Sequence, residues 1–392
     1  MNNIAIFKGR TFDGERFFEN AEIGINAATG LIDHVDELHS KALNDITLMP
    51  GLIDTHIHFF GTDSPRLMDW VLTSDALLAV KSVYDAESLL ESGFTTVRTM
   101  GDKVSLDLSR AEKLGILRGP RIISSGYSIA ATGGNDDPKF LPYELSKQFS
   151  YSYYCDGPWE CRKAVRLNVR NGAESIKAYA SSSFVGGGEI RNELTPEELS
   201  AIADEAHAAH LKAAAHAYGS SAIQNTIDAG FDSVEHGLGL TEEQAELMRK
   251  RGIFYVPTLS TYKLSENSYE ERREVIARHF EKEVSIASNA GVKIAAGTDL
   301  LGTASKPLGL NSLEIIYLSE IIGAESALKS ATSLAAECLG LKNTGSIKAG
   351  YRADIIAVNG NPLQNASSMK RENVLLVVKG GKTVKNQLNS LP

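Results

Sequence analysis

The chain alternates short apolar segments with longer segments that carry helical periodicity. Short β-branched or alternating segments predict strands, because alternation turns one face of a strand toward a core. Eight such segments occur: LIDTHIH (52–58), TTVRTM (95–100), RIISSG (121–126), SIKAYAS (175–181), KAAAHA (212–217), SVEHG (233–237), FYVPTLS (254–260) and KIAAGTD (293–299). Strands that alternate with helices of this length predict a parallel sheet, and eight units predict a closed (β/α)8 TIM barrel of about 250 residues.

The predicted helices have clear start and stop signals. Ser74 is a predicted N-cap for the segment that follows it, and Gly93 ends that segment. Thr195 precedes Pro196 and stands three residues before Glu198, which predicts a capping box with a helix-start proline. These signals support the alternation of strands and helices.

Both ends of the chain depart from this pattern. Residues 1–49 and 346–392 contain short strands broken by Gly, Asn and Asp, with hairpin-turn sequences such as NGNP and KGGK. Neither end can easily bury the face of a sheet alone. We therefore expect a small discontinuous β-sandwich, with these two segments as its parts, beside a metal-dependent hydrolase barrel of residues 50–345.

Charge and composition exclude several classes of protein. Lys and Arg number 40 against 49 Asp and Glu, a formal net charge of −9, so we expect no nucleic-acid partner. No run approaches the ~20 apolar residues of a spanning helix, so we expect no membrane association. The N-terminal MNNIAIFKGRTFDGE has no secretory pattern, and we expect a cytoplasmic protein.

The chain has three cysteines, Cys155, Cys161 and Cys338. They are too few and too scattered for a disulfide framework or a CxxC metal site. We therefore expect free thiols in a reducing cytoplasm.

Histidines concentrate at the predicted strand ends. His56 and His58 end the first strand, and residues i and i+2 of a strand point to the same side. A pair of structural histidines is the alternative for this motif alone. His216, His236 and Asp299 end the fifth, sixth and eighth strands, however, so all five should meet at the mouth of the barrel. Imidazole and carboxylate are ligands that zinc, manganese and iron select.

Lys177 lies inside the apolar strand SIKAYAS, where an unpaired ammonium is costly to bury. A buried lysine has a lowered pKa, and its neutral amine can react with CO2 to give a carbamate. Such a group could bridge two metals. The alternative is a lysine whose head reaches water at the end of the strand.

The ordered motifs GLIDTHIH, SIKAYAS, AAAHAYGSSAI, AGFDSVEHG and AAGTD resemble the amidohydrolase superfamily of binuclear metal hydrolases, over essentially the whole chain. PGLIDTHIH, FTTVRTMG, GPRIISSG and DGPWECRKAVRLNVRNGAESIK resemble the imidazolonepropionase-related branch. That branch includes prolidase-like Xaa-Pro, Xaa-Arg and Xaa-Lys dipeptidases and ochratoxin-hydrolysing amidases.

The resemblance implies two divalent metal ions, with zinc as the expected metal, and CO2 for carboxylation of a lysine. It assigns His56, His58 and Asp299 to one metal. It makes Lys177 an N6-carboxylysine that bridges to the second metal, which His216 and His236 complete. Asp299 would also be the catalytic proton shuttle for a metal-bridging hydroxide.

Two further residues are expected to bind substrate. The resemblance gives Tyr218, two residues past His216, a role in binding the substrate carboxylate; a rim aromatic that packs on a helix is the alternative. ATGGNDD (131–137) resembles the branch's TGGHGD loop, but Asn135 stands where the pattern has His and Asp136 where it has Gly. An amide can donate a hydrogen bond to the substrate carbonyl but cannot titrate.

We therefore expect a hydrolase that cleaves an amide bond, in a dipeptide or another small carboxylate-bearing molecule, and that assembles as a homo-oligomer. The alternatives are a cyclic-amide or lactone hydrolase with the same site, and a non-catalytic scaffold, against which the filled ligand positions argue. SSSFVGGGE (181–189) is interpreted as a mobile lid or surface loop. The remaining histidines are expected on solvated faces: His34, His39, His207, His210 and His279.

Overall fold

The computed structural model describes residues 4–42, 45–64, 66–183, 190–264, 273–303 and 306–388. The strands in these ranges are β1 (Ile4–Phe12), β2 (Phe17–Asn26), β3 (Leu31–Glu37), β4 (Ile46–Pro50), β5 (Leu52–Ile57), β6 (Phe94–Thr99), β7 (Arg121–Ser124), β8 (Ser128–Ala130), β9 (Ser152–Tyr154), β10 (Ser175–Tyr179), β11 (Lys212–Ala217), β12 (Ser233–His236), β13 (Phe254–Val256), β14 (Ile355–Asn359), β15 (Val374–Lys379) and β16 (Lys382–Asn386).

The helices in the same ranges are α1 (Leu67–Leu72), α2 (Asp75–Glu91), α3 (Ser105–Lys113), α4 (Tyr143–Phe149), α5 (Pro158–Asn171), α6 (Pro196–Ala208), α7 (Ser220–Ala229), α8 (Glu242–Arg251), α9 (Leu259–Leu264), α10 (Arg273–Arg278), α11 (Val284–Asn289), α12 (Ser312–Ile322), α13 (Ala324–Ser330) and α14 (Ser333–Cys338). A π-helical turn, His279–Glu283, joins α10 to α11. Short 3-10 turns occupy Ala366–Met369 and Arg371–Asn373.

Parallel strands form the barrel, as the alternating pattern predicts. β5, β6 and β7 pair in parallel, and so do β10, β11, β12 and β13. The third predicted strand, RIISSG (121–126), forms β7, which pairs with β6. Two short strands that were not predicted follow it: β8 pairs with β10, and β9 extends this sheet beside β8.

The eighth predicted strand closes the barrel without forming a regular strand. Isolated bridges join Tyr255 to Ile294 and Ile57 to Leu300, and the Thr55 N–H donates to the Ala296 carbonyl at 2.9 Å. Gly297 makes the close approach possible, since a Cβ there would lie 2.8 Å from the Cβ of His56. The segment is thereby held against β5, next to the predicted metal ligands.

The predicted helix ends are confirmed. Ser74 accepts a hydrogen bond from the backbone N–H of Leu77 at the start of α2. Thr195 and Glu198 form a reciprocal capping box at the start of α6. α6 packs against β10 and β11, so these capping bonds fix a helix that lies directly behind the strands of Lys177 and His216.

Both chain ends build one sheet, of order β16-β15-β14-β4-β1-β2-β3 among the described strands. Antiparallel pairing of β14 with β4 joins the C-terminal part to the N-terminal part, with Ile356 opposite Met49. Apolar side chains of both parts share one cluster: Ile23, Ile25, Ile32, Ile46, Leu48, Ile347, Ala353, Ile355, Ala357, Leu375, Leu376 and Val378. Neither end could bury this surface alone, which explains why the domain is discontinuous.

The expectation of free thiols is wrong for two of the three cysteines. Cys155 and Cys161 form a disulfide, and both are fully buried. Cys155 directly follows β9, and the turn through Gly157 into α5 brings the two Cα atoms to 5.1 Å. Cys338 is a buried free thiol, as expected.

Two further predictions concern the glycine-rich loop and membrane-spanning helices. Residues 184–189 of the predicted glycine-rich lid lie outside the described residues. Within the described ranges, the helices are too short or too polar to cross a membrane.

Candidate metal centre and substrate cavity

A cavity of about 720 Å³ opens at the mouth of the barrel. It is lined by every residue that the sequence nominates as a metal ligand: His56, His58, Lys177, His216, His236 and Asp299. Tyr218 and Asn135, the two predicted substrate residues, line the same cavity. The strand ends thus bring the predicted site together in one place.

His56, His58 and Asp299 form the tightest group. Oδ1 of Asp299 lies 3.5 Å from Nε2 of His56 and 3.2 Å from Nε2 of His58. One ligand atom from each of the three lies within 4.8 Å of the others, a spacing that allows all three to bind one ion. His56 and His58 achieve this because they are two residues apart at the end of β5.

Hydrogen bonds behind these rings select the nitrogens that face the cavity. Nδ1 of His58 lies 2.8 Å from the Gly101 carbonyl, which only accepts, so this nitrogen carries the hydrogen. Nδ1 of His56 lies 2.7 Å from the carboxylate of Glu235, with the same consequence. Nε2 of each ring therefore keeps its lone pair for a metal.

The second pair of histidines lies against the first. The ring centroid of His236 is 5.1 Å from that of His56 and 4.6 Å from that of His216. Nδ1 of His236 pairs with the hydroxyl of Thr258 at 2.7 Å. Nε2 of His216 instead faces the Ser182 carbonyl at 3.5 Å, which leaves Nδ1 of that ring as its metal-binding nitrogen.

Burial keeps His56, His216 and His236 neutral. It lowers the pKa of His56 to about 4 and lowers those of His216 and His236 well below the ordinary value. Burial opposes ionisation of Asp299, but its contacts with His58 and His56 outweigh burial and hold its pKa well below the usual range. Neutral imidazoles and an ionised carboxylate are the protonation states that bind a divalent ion.

Lys177 is 1% exposed, on the same cavity. Burial lowers its pKa to about 8. Among the described residues no hydrogen-bond acceptor pairs with its Nζ, which lies 5.0 Å from the centre of the Tyr179 ring. Four imidazoles, one carboxylate and a lysine amine that can become a carbamate are a donor set that fits two divalent ions.

A buried ion pair beneath His56 was not predicted from the sequence. Nη2 of Arg98 donates to Oε1 of Glu235 at 2.8 Å, and both side chains are essentially unexposed. Burial raises the pKa of Glu235, but Arg98 and His56 outweigh it and bring that pKa to about 2. The signal was present in the sequence, because each residue is the one charged side chain inside an apolar strand, TTVRTM and SVEHG.

A second buried carboxylate joins β5 to the closing segment. Asp54 accepts hydrogen bonds from the backbone N–H of His56 at 3.0 Å, from the Thr298 hydroxyl at 2.7 Å and from the Asn311 amide at 2.7 Å. The N–H of Asp299 in turn donates to the His56 carbonyl at 2.7 Å. These bonds fix the ligands of the first group relative to one another.

Backbone strain is concentrated at three successive strand ends. His236, Thr258 and Asp299 have φ values of 66°, 54° and 55°, in the left-handed region that non-glycine residues avoid. Each such residue costs on the order of 1 kcal/mol or more, and persists where surrounding contacts over-determine it. Here the left-handed backbone turns both His236 and Asp299 into the cavity.

The loop of Asn135 is held from three sides. Its backbone N–H donates to Glu193 at 2.8 Å, its amide nitrogen donates to Asp136 at 3.2 Å, and its amide oxygen accepts from the Ser183 N–H at 3.4 Å. Asp136 also accepts from the Tyr151 hydroxyl at 2.9 Å. The amide of Asn135 is thus oriented on the cavity wall, with one of its two N–H groups engaged by Asp136.

Aromatic rings form the wall beside His58. Phe60 stacks on His58 and on Trp70, with ring centroids 5.0 and 4.4 Å apart, and the ring centroid of Tyr151 lies 5.1 Å from that of Phe60. Tyr218 packs on His216 at 4.3 Å, and its hydroxyl lies 2.8 Å from the hydroxyl of Tyr262. The cavity therefore offers flat apolar surface beside the predicted metal ligands.

The expected solvated position is wrong for His279. It is fully buried, with Nδ1 2.9 Å from Glu283 and Nε2 2.8 Å from the Pro257 carbonyl. The π-helical turn departs from regular helical spacing, so the sequence pattern gave no sign that this ring turns inward. His39, His207 and His210 are exposed as expected, and His34 is half-buried.

Comparison with known proteins agrees with this geometry. The profile of the Amidohydrolase family matches residues 47–384. Ochratoxinase from Aspergillus niger is 32% identical over 372 residues, which cover 86% of this chain and 75% of that protein. Its crystal structure aligns with a TM-score of 0.89 at 29% identity, over 98% of this chain and 96% of that one.

Two further crystal structures are similar at a TM-score of 0.85 and 30% identity. A Xaa-Pro dipeptidase with methionine bound in its active site covers 97% of this chain and 99% of its own. A prolidase complexed with N-methylphosphonate-L-proline covers 98% of this chain and 100% of its own.

Proposed function

Because this chain belongs to the amidohydrolase family and is a hydrolase acting on carbon–nitrogen bonds, we propose that it cleaves the amide bond of a small carboxylate-bearing substrate with two divalent metal ions. The observation that carries the proposal is the convergence of four imidazoles, Lys177 and Asp299 on one cavity. Similarity to ochratoxinase and to a prolidase supports an amide rather than a phosphoester as the bond that is cleaved.

Two sets of residues would hold the ions. His56, His58 and Asp299 would hold one, and Lys177 as its carbamate, His216 and His236 would hold the second. We expect zinc, given the four imidazoles and the oxygen donors. When bound, the ions supply Lewis acidity that activates a water molecule and polarises the scissile carbonyl.

Lys177 would form its carbamate by attack of the neutral amine on CO2. A nitrogen–carbon bond forms as one C=O π pair of CO2 moves onto oxygen, the amine gives one proton to water, and an anionic pair of oxygens replaces the neutral amine. Burial favours this change, because it lowers the pKa of the amine to about 8 and so makes the neutral form accessible.

Asp299 would carry the proton. Its carboxylate accepts a proton from the attacking water and delivers it to the nitrogen of the leaving amine. Support comes from its position against His56 and His58, and from a pKa well below the usual range, which keeps it ready to accept.

Substrate binding would fall to Tyr218 and Asn135. The Tyr218 hydroxyl would bind the carboxylate, and the second amide N–H of Asn135 would donate to the carbonyl. Support comes from their place on the cavity wall and from the oriented amide of Asn135. The two related structures that contain an amino acid or a proline derivative are consistent with a carboxylate-bearing ligand.

The direct test is a hydrolysis screen with the zinc-loaded protein against N-acyl amino acids, dipeptides, lactones and cyclic imides. Asp299→Asn is the matched inactive control, because Asn keeps the shape of Asp. We expect turnover of N-acyl amino acids or dipeptides that is lost in the control. Turnover confined to lactones or cyclic imides would contradict the linear amide and favour the ring-opening alternative.

A further inference from the structure

Glu193 is a half-buried carboxylate on the wall of the cavity. Its Oε2 accepts a hydrogen bond from the backbone N–H of Asn135 at 2.8 Å. A Cβ at position 134 would lie 2.7 Å from the same oxygen, so the glycine there allows this close approach. Among the described residues no hydrogen bond or ion pair reaches Oε1 of Glu193, which leaves that oxygen for a ligand.

A short antiparallel pairing beyond the end of β10 directs Glu193 toward the cavity. The Glu193 N–H donates to the Ala180 carbonyl at 3.0 Å, and the Ser182 N–H donates to the Arg191 carbonyl at 2.9 Å. Alternate residues of an extended segment share a side, and Arg191 and Glu193 both line the cavity. The position of Glu193 is thus set by the strand that also carries Lys177.

Two cations on the cavity wall lie near Glu193 without pairing with it. Arg191 donates instead to the Gly133 carbonyl at 3.3 Å, and both Arg191 and Lys139 are exposed. Burial raises the pKa of Glu193 to about 7, because the hydrogen bond from Asn135 and the attraction of these cations do not offset it. A positive group placed directly against Oε1 would offset this cost of burial.

The neighbouring carboxylates on the cavity wall are already occupied. Asp136 has three buried hydroxyls within hydrogen-bond distance. Asp137 accepts from the Gly133 N–H at 2.9 Å with one oxygen and from the Ser146 hydroxyl at 2.6 Å with the other. Glu193 therefore differs from both in having an oxygen to offer.

The place of Glu193 beside Asn135 indicates which group of a substrate it would meet. The proposed function gives Asn135 the scissile carbonyl, and gives Tyr218 the carboxylate on the leaving side. In a dipeptide, the α-amino nitrogen is attached to the carbon next to that carbonyl, on the side away from the leaving amine. An ammonium at this point has a positive charge and three N–H donors, which a carboxylate with a free oxygen can accept.

We propose that Glu193 binds the α-ammonium group of the substrate, so that the substrate is a dipeptide with a free amino terminus and not an N-acyl amino acid. This inference rests on the proposed function, because it takes Asn135 as the residue that meets the scissile carbonyl. It makes Glu193 the residue that selects the acyl part of the substrate, while Tyr218 binds the carboxylate of the leaving part.

The test compares glycyl-L-methionine with N-acetyl-L-methionine, which differ only by an ammonium group in place of a hydrogen. Both have an apolar side chain that suits the aromatic wall of the cavity. Binding is measured by isothermal titration calorimetry at about pH 7, where the α-amino group is charged. Zinc-loaded Asp299→Asn protein is used so that hydrolysis does not obscure binding. We expect the dipeptide to bind about 10- to 100-fold more tightly, the size of a hydrogen bond between charged groups.

Glu193→Gln in the same protein keeps the shape of the side chain and an acceptor for Asn135, but removes the charge. We expect it to lower the affinity for the dipeptide to that for the N-acetyl compound, whose own affinity should stay within about 2-fold. Asp137→Asn is the matched control, because it removes the same charge from the same cavity wall at a carboxylate whose oxygens are both occupied. It should leave the ratio of the two affinities within about 2-fold, even where it changes both.

The ratio of kcat/KM for the two compounds in the active protein gives the same comparison, and it separates the inference from the function on which it rests. If the N-acetyl compound is cleaved and bound as well as the dipeptide or better, the ammonium role is overturned while amide hydrolysis stands. A preference for the dipeptide that survives in Glu193→Gln would overturn the role of Glu193. If neither compound is bound or cleaved, the role of Glu193 and the carboxylate-bearing amide substrate are overturned together.

Discussion

Replacing Glu235 by Gln should disable zinc binding from beneath the site, without touching the cavity. Oε2 of Glu235 accepts from His56 Nδ1 at 2.7 Å. Oε1 accepts from Arg98 at 2.8 Å and from the Ser233 hydroxyl at 2.5 Å. Three donors thus need two acceptor oxygens, and Gln has only one.

The magnitude follows from this shortage of acceptors. If the Gln oxygen stays with Arg98, its NH2 group faces the N–H of His56, and His56 relieves the clash by moving its hydrogen to Nε2. That nitrogen is then lost as a metal ligand. We expect zinc affinity to fall about 10- to 100-fold, the usual effect of removing such a partner. Because Arg98 is fully buried, the loss of its carboxylate should also cost about 3–5 kcal/mol of unfolding free energy.

Zinc dissociation constants from chelator competition, and urea unfolding of the metal-free protein, measure the two effects. Glu198→Gln is the matched control, because Glu198 is a buried carboxylate whose hydrogen bonds go to the backbone of Gly157 and Thr195 and to no proposed metal ligand. Adding Arg98→Met to Glu235→Gln should recover stability, since it removes the unpaired cation, but not zinc affinity. Zinc affinity within about 2-fold of wild type in Glu235→Gln would refute this reasoning.

Three further changes should each give a distinct result. Asp299→Asn should keep much of its zinc while kcat for amides falls about 10²-fold or more, because Asn cannot carry a proton. Amide turnover close to wild type would contradict the role of Asp299 as the proton shuttle. Metal-free protein that is reloaded with zinc in CO2-depleted buffer should regain activity faster when bicarbonate is added. Lys177→Ala should bind one zinc instead of two by elemental analysis. Recovery that does not depend on bicarbonate, together with an active Lys177→Ala enzyme, would contradict carboxylation of Lys177. Burial raises the pKa of Glu193 from 4.5 to about 7. Between these pH values the folded protein keeps a proton on Glu193 that the unfolded chain has lost, so the free energy of unfolding falls as the pH rises through this range. The melting temperature of Glu193→Gln should therefore match wild type near pH 4.5 and exceed it above pH 7; a difference independent of pH would show that Glu193 does not titrate in this range.

The sequence predicts those parts of the site that depend on strand periodicity. His56 and His58 are predicted to face the same way because residues i and i+2 of a strand share a side, and in the structure both line the cavity. Each of Arg98 and Glu235 is detectable as a single charge in an apolar strand, but their pairing could not be predicted, because the two residues lie 137 positions apart and meet only when β6 and β12 come together in the fold. His279 was misjudged for a similar reason, since its burial depends on a π-helical turn and on contacts with Pro257.

The division between rigid and loop-borne parts of the cavity indicates how chemistry and specificity are separated in this protein. The proposed metal ligands stand at strand ends that are fixed by buried carboxylates, with Asp54 behind the first group and Glu235 behind His56. Because folding supplies this order, the ligands need little rearrangement when an ion binds. Asn135 lies instead on a loop after β8, where its hydrogen bonds go to Glu193, Asp136 and Ser183 and to none of the proposed metal ligands. Loops of this kind can change the substrate while the strand ends keep the reaction, so the departure from the family pattern at Asn135 bears on which amide is cleaved rather than on whether one is.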